Sequence, residues 1–471
     1  MIFQKCWLSL VMAVLVTGVS LADEGIRIDC SSRLGKFKPL HGVNGGPLNF
    51  GETIDITPAW RAAGFPLTRL HDCEWPSGRI ADVHSLFPDL RADPADPKNY
   101  RFAETDAYLK AIAAAGSHVV FRLGESIEHS QTKIWVNPPA DFERWAAACC
   151  GIVRYYEARS GKDGFPKIDY WEIWNEPENQ PVMWTGTNEQ FYELFAVTAK
   201  ALRKEFPHLK IGGPSLGATG EMKDGKFLPN KFLQGFMAKC QTEKLPLDFF
   251  SWHTYADNPA KYAAKSRGIR TWLDEQGYGQ SEIHLNEWNY LPDNDWSANF
   301  KQTAPAKRAR WFERQGGIEG AAFAAYALLD LQDCPIDQAN FYAGDTGTFG
   351  LFTRFGEPKK NYFAFQAFQR LLATPNRVGV KGGIAGKVIA GAGLNDAADE
   401  LQILVANFSG GEQKLTVRNF PWEGKTRIEN WRITALHDFF EEPPHIAEGD
   451  SIEGKISAGP GVGLLRLRPA K

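Results

Sequence analysis

Cysteine is scarce in this chain of 471 residues: there are seven, and no two stand as Cys-x-x-Cys, which disfavours a zinc site or redox pair built on that spacing. Adjacent Cys149 and Cys150 sit in an Ala-rich helical run and read as core residues. An excess of basic charge is also lacking. The formal net charge is −3, so there is no global positive field, and nucleic acid is disfavoured as the main ligand. Beyond the N-terminus no apolar run is long enough to span a bilayer. No GxGxxG follows the first strand, and neither HxH nor HExxH occurs, so nothing marks a dinucleotide or a metal cofactor. Internal repeats and low-complexity tracts are absent too.

Aromatic residues are plentiful, with 15 Trp and 31 Phe, and flat rings pack both protein cores and sugar faces. Residues 1–22 have the layout of a cleavable secretory signal: Lys5 at the basic end, an apolar run over 6–19, and Ser20-Leu21-Ala22 as a small-x-small cleavage site. A mature start near Asp23 and a secreted or periplasmic location are expected. Six cysteines would then remain, and an oxidising compartment permits disulfides among them, although a chain this long does not need such staples.

The rest of the chain alternates apolar strands with amphipathic helices. Strands are expected at 40–46, 66–72, 117–124, 169–175, 210–215, 247–255, 282–289 and, as an Ala-rich eighth, 320–329. Helices fall between them, with the last at 362–372. Eight such units joined by right-handed crossovers close most simply as a (β/α)8 barrel of α/β class, with an open doubly wound sheet as the alternative. Beyond residue 374 the texture becomes all-β, with short strands at 388–394, 400–408, 413–418, 427–436 and 462–467. Residues 25–30 alternate as a half-exposed strand before the barrel begins. The expected organisation is a signal at 1–22, an N-terminal strand at 23–34 joining a C-terminal β-sandwich at 375–471, and a catalytic barrel at 35–374.

Polar groups gather where the strands end, and in a barrel of this kind the C-terminal strand tips carry the chemistry. Tyr170-Trp171-Glu172-Ile173-Trp174-Asn175-Glu176-Pro177 begins as a strand and stops at Pro177, which leaves the Glu176 carboxyl at the fourth tip. Glu287 ends the seventh strand. Both follow Asn in an Asn-Glu pair flanked by Trp. Cleavage of a glycosidic bond needs two such carboxyls, one to protonate the leaving oxygen and one to attack or to activate water. Either Glu alone reads as a rim residue, whereas two matching tips on one barrel point to this chemistry.

Trp174-Asn175-Glu176-Pro177 and Asn286-Glu287-Trp288-Asn289 resemble the acid/base and nucleophile motifs of the retaining glycosidase clan with (β/α)8 barrels. Within that clan, Arg69-Leu70-His71, Ser251-Trp252-His253-Thr254-Tyr255 and Gly350-Leu351-Phe352 through Pro358-Lys359 resemble glycoside hydrolase family 39, the β-xylosidase and α-L-iduronidase family. The resemblance implies that Glu176 is the general acid/base, that Glu287 is the nucleophile, and that the configuration is retained through a covalent glycosyl-enzyme. A carbohydrate substrate and no cofactor follow.

An apolar, Trp-lined setting beside a second carboxylate is expected to raise the Glu176 carboxyl to about 6. Asn175 is expected to bond the sugar 2-hydroxyl, or else to cap the turn. His71 suits a ring hydroxyl, and His253 or Tyr255 suits a role in keeping Glu287 ionised. Trp174, Trp288 and Tyr326 are candidates for a sugar platform or for core. Three departures from the family pattern bear on the substrate. Strand eight, as read here, offers only Tyr326 where a Trp is usual. Arg122 and Glu125 bring charge to strand three, to face a uronate or to pair with each other. Asp72 stands where a small residue is usual.

Three other readings compete. Gly213-Pro214-Ser215-Leu216-Gly217 matches the GxSxG elbow of an esterase, although the following segment reads as loop rather than helix. His41, His71, Asp72 and His253 are the residues available to a metal-dependent hydrolase. A sugar-binding barrel without catalysis would keep the cleft and lose the turnover.

Overall fold

Strand four, Ile168–Ile173, takes its alternation of aromatic and β-branched side chains into the middle of a parallel sheet, with Tyr170, Trp171 and Ile173 all buried. The structure is a computed structural model that describes residues 25–50 and 53–470. The expected secretory segment and its cleavage point at Ala22 and Asp23 lie outside these residues. Eight strands close into a barrel in chain order: Gly42–Asn44, Leu67–Leu70, His118–Leu123, Ile168–Ile173, Ile211–Leu216, Phe249–Ala256, Glu282–Tyr290 and Gln338–Phe341. Every neighbouring pair is parallel.

Local signals set the outer helices. Asn188–Glu205 opens with a capping box between Thr187 and Gln190 and buries Phe191, Leu194, Phe195 and Leu202 on one face. Ala103–Ala115 stops at Gly116, which takes the left-handed conformation that favours glycine.

The eighth strand is not the Ala-rich run. Residues 320–329 lie in the helix Ile318–Asp330, where Ala321, Ala322, Ala324, Ala325 and Ala327 are all buried. Alanine is the best helix former, and a run that is apolar on every side has no period by which to tell strand from helix. The all-round burial has a structural cause. This helix lies between the barrel and a second sheet, so it has no solvent face.

That second sheet has nine strands in the spatial order Phe440–Glu448, Lys425–Ile433, Gly461–Pro469, Leu401–Asn407, Val388–Leu394, Asn376–Lys381, Ile26–Lys36, Gln413–Arg418 and Ser451–Ile456. All pairs are antiparallel except Ile26–Lys36 with Gln413–Arg418. Period-two alternation gives each strand two jobs. Leu401, Ile403 and Val405 point into the sheet's own core with Ile26, Ile28 and Val417. Leu404, Ala406, Trp431, Ile433 and Leu464 point the other way and join the core of the barrel.

Candidate active site

Side chains at the barrel's C-terminal tips are aimed by unusual backbone. Asp72, Trp174, Glu176 and Ser215, which close strands two, four and five, have φ of 50°, 69°, 43° and 59°. A non-glycine residue in this left-handed region costs about 1–3 kcal/mol and persists only where its surroundings hold it. On strand seven the register slips between Leu285 and Glu287 against strand six, so Asn286 is an extra residue that re-aims Glu287 inward.

Arg69 is the hub of the tips. It is fully buried, and each of its five N–H groups has an acceptor. Nε donates to Glu172 Oε2 at 2.5 Å. Nη1 donates to Asn44 Oδ1 at 3.1 Å and to Glu287 Oε1 at 2.9 Å. Nη2 donates to Asn175 Oδ1 at 2.6 Å and to Ser215 Oγ at 2.7 Å. Burial alone would weaken the guanidinium's hold on its proton, but the charges of Glu172 and Glu287 raise it instead. Glu172, also fully buried, accepts from Asn286 Nδ2 at 2.5 Å on its other oxygen.

Glu176 and Glu287 meet at His253. The imidazole Nδ1 lies 2.7 Å from Glu176 Oε1 and 3.4 Å from Glu287 Oε2. Tyr255 donates its hydroxyl to Glu287 Oε2 at 2.9 Å, and Asn179 donates to Glu176 Oε2 at 3.0 Å. Burial tends to raise the Glu176 carboxyl, but the hydrogen bond and charge of His253, with help from Asn179 and Arg69, hold it below its ordinary value. The expected rise of Glu176 is therefore not found. It is Glu287 that is raised, by burial first and then by the charges of Glu176 and Asp72, against the pull of His253 and Arg69. For His253, burial is outweighed by the two carboxylates, and the imidazole is raised.

Seven residues singled out for substrate contact divide into two groups. Asn175, His71, His253 and Tyr255 gather around the two carboxyls. His71 Nε2 stands 3.3 Å from Asp72 Oδ2 and 3.7 Å from Glu287 Oε1, and burial, with Arg69 and Arg122 nearby, pushes the imidazole well below its ordinary range. Its buried Nδ1 has no partner among the described residues. Trp174, Trp288 and Tyr326 fall outside. Trp174 is buried between Trp145 and Trp184 and donates to Met183 O. Trp288 is buried against Tyr262, Phe341 and Phe365, so both are core rather than platform. Tyr326 sits on the Ala-rich helix and accepts from Gly386 N–H at 2.7 Å, which ties that helix to the second sheet.

Tyr342, just past the true strand eight, is an aromatic residue at the tips that the sequence reading did not single out. Its hydroxyl donates to Asp72 Oδ2 at 2.9 Å, and its carbonyl accepts from Asn289 Nδ2 at 2.5 Å. With Asp72 and Phe349 it lines a cavity of about 490 Å³. Arg122 does not pair with Glu125. It is bound to Asp82 Oδ1 at 2.5 Å, while Glu125 bonds His84.

Among the described residues two groups have the composition of cation sites: Glu176 with His253 and Glu287, and Asp82 with His84 and Glu125, each with ligand atoms within 4.8 Å of one another. In the first, His253 Nδ1 faces Glu176 across a 2.7 Å hydrogen bond, which is the pattern of a shared proton. His41, one of the four residues on which the metal reading could draw, lies apart, bonded to Gly64 O and Gln369 Oε1.

Residues 78–270, which hold strands three to six and Glu176, match the profile described as Glycosyl hydrolases family 39. The chain resembles family 39. A β-xylosidase of Geobacillus stearothermophilus is 25% identical over 327 residues, 62% of this chain and 61% of that enzyme. A β-xylosidase of Caldicellulosiruptor saccharolyticus is 24% identical over 56% of this chain and 52% of its own length, so the matched stretch spans a little over half of these curated relatives. Among solved structures, a glucosidase from Croceicoccus marinus is 25% identical with a TM-score of 0.78 over 95% of this chain and 99% of its own. A family 39 enzyme from Xanthomonas axonopodis pv. citri shares the fold at 17% identity, with a TM-score of 0.70 over 95% and 98%. The family 39 profile stops before residue 287, so the seventh tip rests on its geometry.

Proposed function

We propose that this protein is a retaining O-glycoside hydrolase, with Glu176 as general acid/base and Glu287 as nucleophile. One observation carries the reading: an oxygen of Glu176 and an oxygen of Glu287 lie within 4.8 Å of each other, both facing His253 Nδ1. Retaining glycosidases hold their carboxyls about 5–5.5 Å apart, whereas inverting ones leave about 6.5–9.5 Å for a water. The match to family 39 supports the same reading.

Glu287 would attack the anomeric carbon, its oxygens aimed by Arg69 and Tyr255. Glu176 would pass to the leaving oxygen the proton it shares with His253 at 2.7 Å, which leaves Glu176 ionised. Once Glu287 is consumed as the ester its charge is gone. Glu176 then no longer faces a second anion and can take a proton from water. Asn175, anchored through Oδ1 by Arg69 and Ser215, keeps its amide Nδ2 for the sugar 2-hydroxyl. Xylosides are the first substrates to test, and export through residues 1–22 is part of the proposal.

In the test, hydrolysis of aryl β-D-xylosides and β-D-glucosides is followed by proton NMR, and the first-formed anomer is expected to keep the substrate's configuration. Inversion would remove the nucleophile role from Glu287. Glu176→Ala is expected to lose about 10²–10⁴-fold on poor leaving groups and much less on good ones. Equal loss on both would remove the acid role.

A second reading has its own observation. Ser215 Oγ, His253 Nε2, His253 Nδ1 and Glu176 Oε1 form a serine–histidine–glutamate chain with both links at 2.7 Å. Its orientation is inverted for an esterase. Ser215 is wholly buried and receives donors from Arg69 and Asn286, while the carboxyl is the end that keeps 18% exposure. Strand five also leads into a hairpin, Gly220–Lys223 with Lys226–Pro229, where the elbow needs a helix. Ester hydrolysis abolished by Ser215→Ala would favour this second reading.

A further inference from the structure

The cavity lined by Asp72 and Tyr342 also bears on which sugar the site takes. Its walls come from the loops after strands two, three and eight, and they carry three carboxyl groups, Asp72, Glu74 and Asp345, against Arg79 and His129. Arg79 is already committed. Its guanidinium donates to the carbonyls of Ser126 at 3.2 Å and Ile127 at 2.7 Å, and it sits 3.7 Å from Asp82. Arg122 has no share in the lining, being buried and held by Asp82.

Asp72 is built to accept. The Ile127 N–H holds Oδ1 at 3.1 Å and the Tyr342 hydroxyl holds Oδ2 at 2.9 Å. A carboxylate has about four acceptor positions, so each oxygen keeps one, and the side chain is 19% exposed. Oδ2 lies 3.3 Å from His71 Nε2, itself 3.7 Å from Glu287 Oε1. A sugar bonded at its anomeric carbon to Glu287 would therefore bring its far hydroxyls toward Asp72.

Resting on the glycosidase reading above, we propose that Asp72 is a substrate-binding residue that accepts hydrogen bonds from two hydroxyls of a neutral pyranose, and that it excludes uronic acids from this cavity. Hydroxyls bring protons to a fixed carboxylate, and such charge-assisted bonds are the strong ones. A uronate brings a further negative charge beside Asp72 and Glu74, where the Arg79 guanidinium is held by carbonyls and the Lys359 ammonium by the carbonyls of Gly347 and Thr348.

The test compares the full chain with Asp72→Asn on aryl β-D-xyloside, β-D-glucoside, β-D-glucuronide and α-L-iduronide. Calorimetric binding of xylose, glucose and glucuronate is measured beside it. The unchanged protein is expected to prefer its best neutral substrate over either uronide by at least about 100-fold in kcat/KM. Asp72→Asn is expected to cost about tenfold on the neutral substrate and to narrow that preference. Uronides turned over as fast as neutral sugars, or an unchanged ratio in Asp72→Asn, would overturn the proposal and leave the hydrolase reading intact. If no glycoside is hydrolysed, the hydrolase reading falls and binding decides. Neutral sugars bound and weakened about tenfold in Asp72→Asn support the role of Asp72, whereas glucuronate bound equally well, or no sugar bound, removes it. Tyr342→Phe, which takes away only the hydroxyl donor on Oδ2, is expected to narrow the preference severalfold. It decides the question, in the same two directions, should Asp72→Asn fail to fold.

Discussion

Arg69 shows what a single residue carries in this site. Its five donors join Glu172, Glu287, Asn44, Asn175 and Ser215, so both carboxylates facing it depend on one buried cation. Removing one partner of a buried ion pair costs about 3–5 kcal/mol, because the remaining charge has no partner. Arg69→Met is expected to lower unfolding free energy in urea by that amount, and Glu172→Gln in the same chain to recover part of it. Glu178 makes a different kind of statement. Burial, and then the charge of Glu176, push its carboxyl from 4.5 up to about 8. A carboxyl raised on folding binds more protons in the native state, so it subtracts stability as pH climbs from about 4.5 to about 8. The unfolding free energy of Glu178→Gln should match that of the unchanged protein near pH 4 and exceed it near pH 8.5, by about 1–2 kcal/mol after allowance for partial exposure. A constant offset at every pH would disconnect the carboxyl from the effect.

At the scale of elements, the tips work because neighbouring strands leave room for one another. Gly217, just beyond strand five, has ordinary backbone, yet a Cβ there would fall on the Glu176 carboxyl closer than any real contact. The carboxyl is the far end of a flexible side chain, so Gly217→Ala is expected to change the thermal midpoint little. It should nevertheless lower kcat/KM about 10²-fold by moving Glu176 off His253, and a loss of stability without loss of activity would reverse that account. The same scale explains what was legible from sequence. Strands two to seven show as apolar runs closed by polar residues, and Glu176 and Glu287 show as paired Asn-Glu tips. Tyr342 did not show, because strand eight is only Gln338–Phe341 and the longer apolar run at 320–329 outcompeted it. Arg69 and Glu172 left a usable signal, a charge in the middle of an apolar strand that burial permits only when paired. Both outer strands of the second sheet were missed for one reason. Phe440–Glu448 and Ser451–Ile456 lie at its edges, mostly exposed, and Pro443 and Pro444 are tolerated only there.

The whole molecule is one chain shared between two cores, and its stability should be read in that light. In the second sheet Ile26–Lys36 lies third from one edge and joins Asn376–Lys381 on one side to Gln413–Arg418 on the other. The chain then builds the barrel and returns to supply the remaining strands. Leu404, Ala406, Trp431 and Leu464 leave that sheet to fill the barrel's core, and the Ala-rich helix Ile318–Asp330 is buried between the two. Each large apolar side chain crossing such a boundary contributes about 1.5–3 kcal/mol, so neither part can lose the other cheaply. Ile28 provides the test because it points into the sheet's own core, away from the barrel, and is fully buried. Ile28→Ala removes packing worth about 2–5 kcal/mol at a site far from Glu176 and Glu287. The expected result is a single calorimetric transition shifted down by several degrees, with heat inactivation of glycoside hydrolysis shifted by the same amount. Two separated transitions, with activity surviving the first, would mean that the barrel stands without the sheet. The side chains passed between the two cores would then serve to orient the parts rather than to hold them folded.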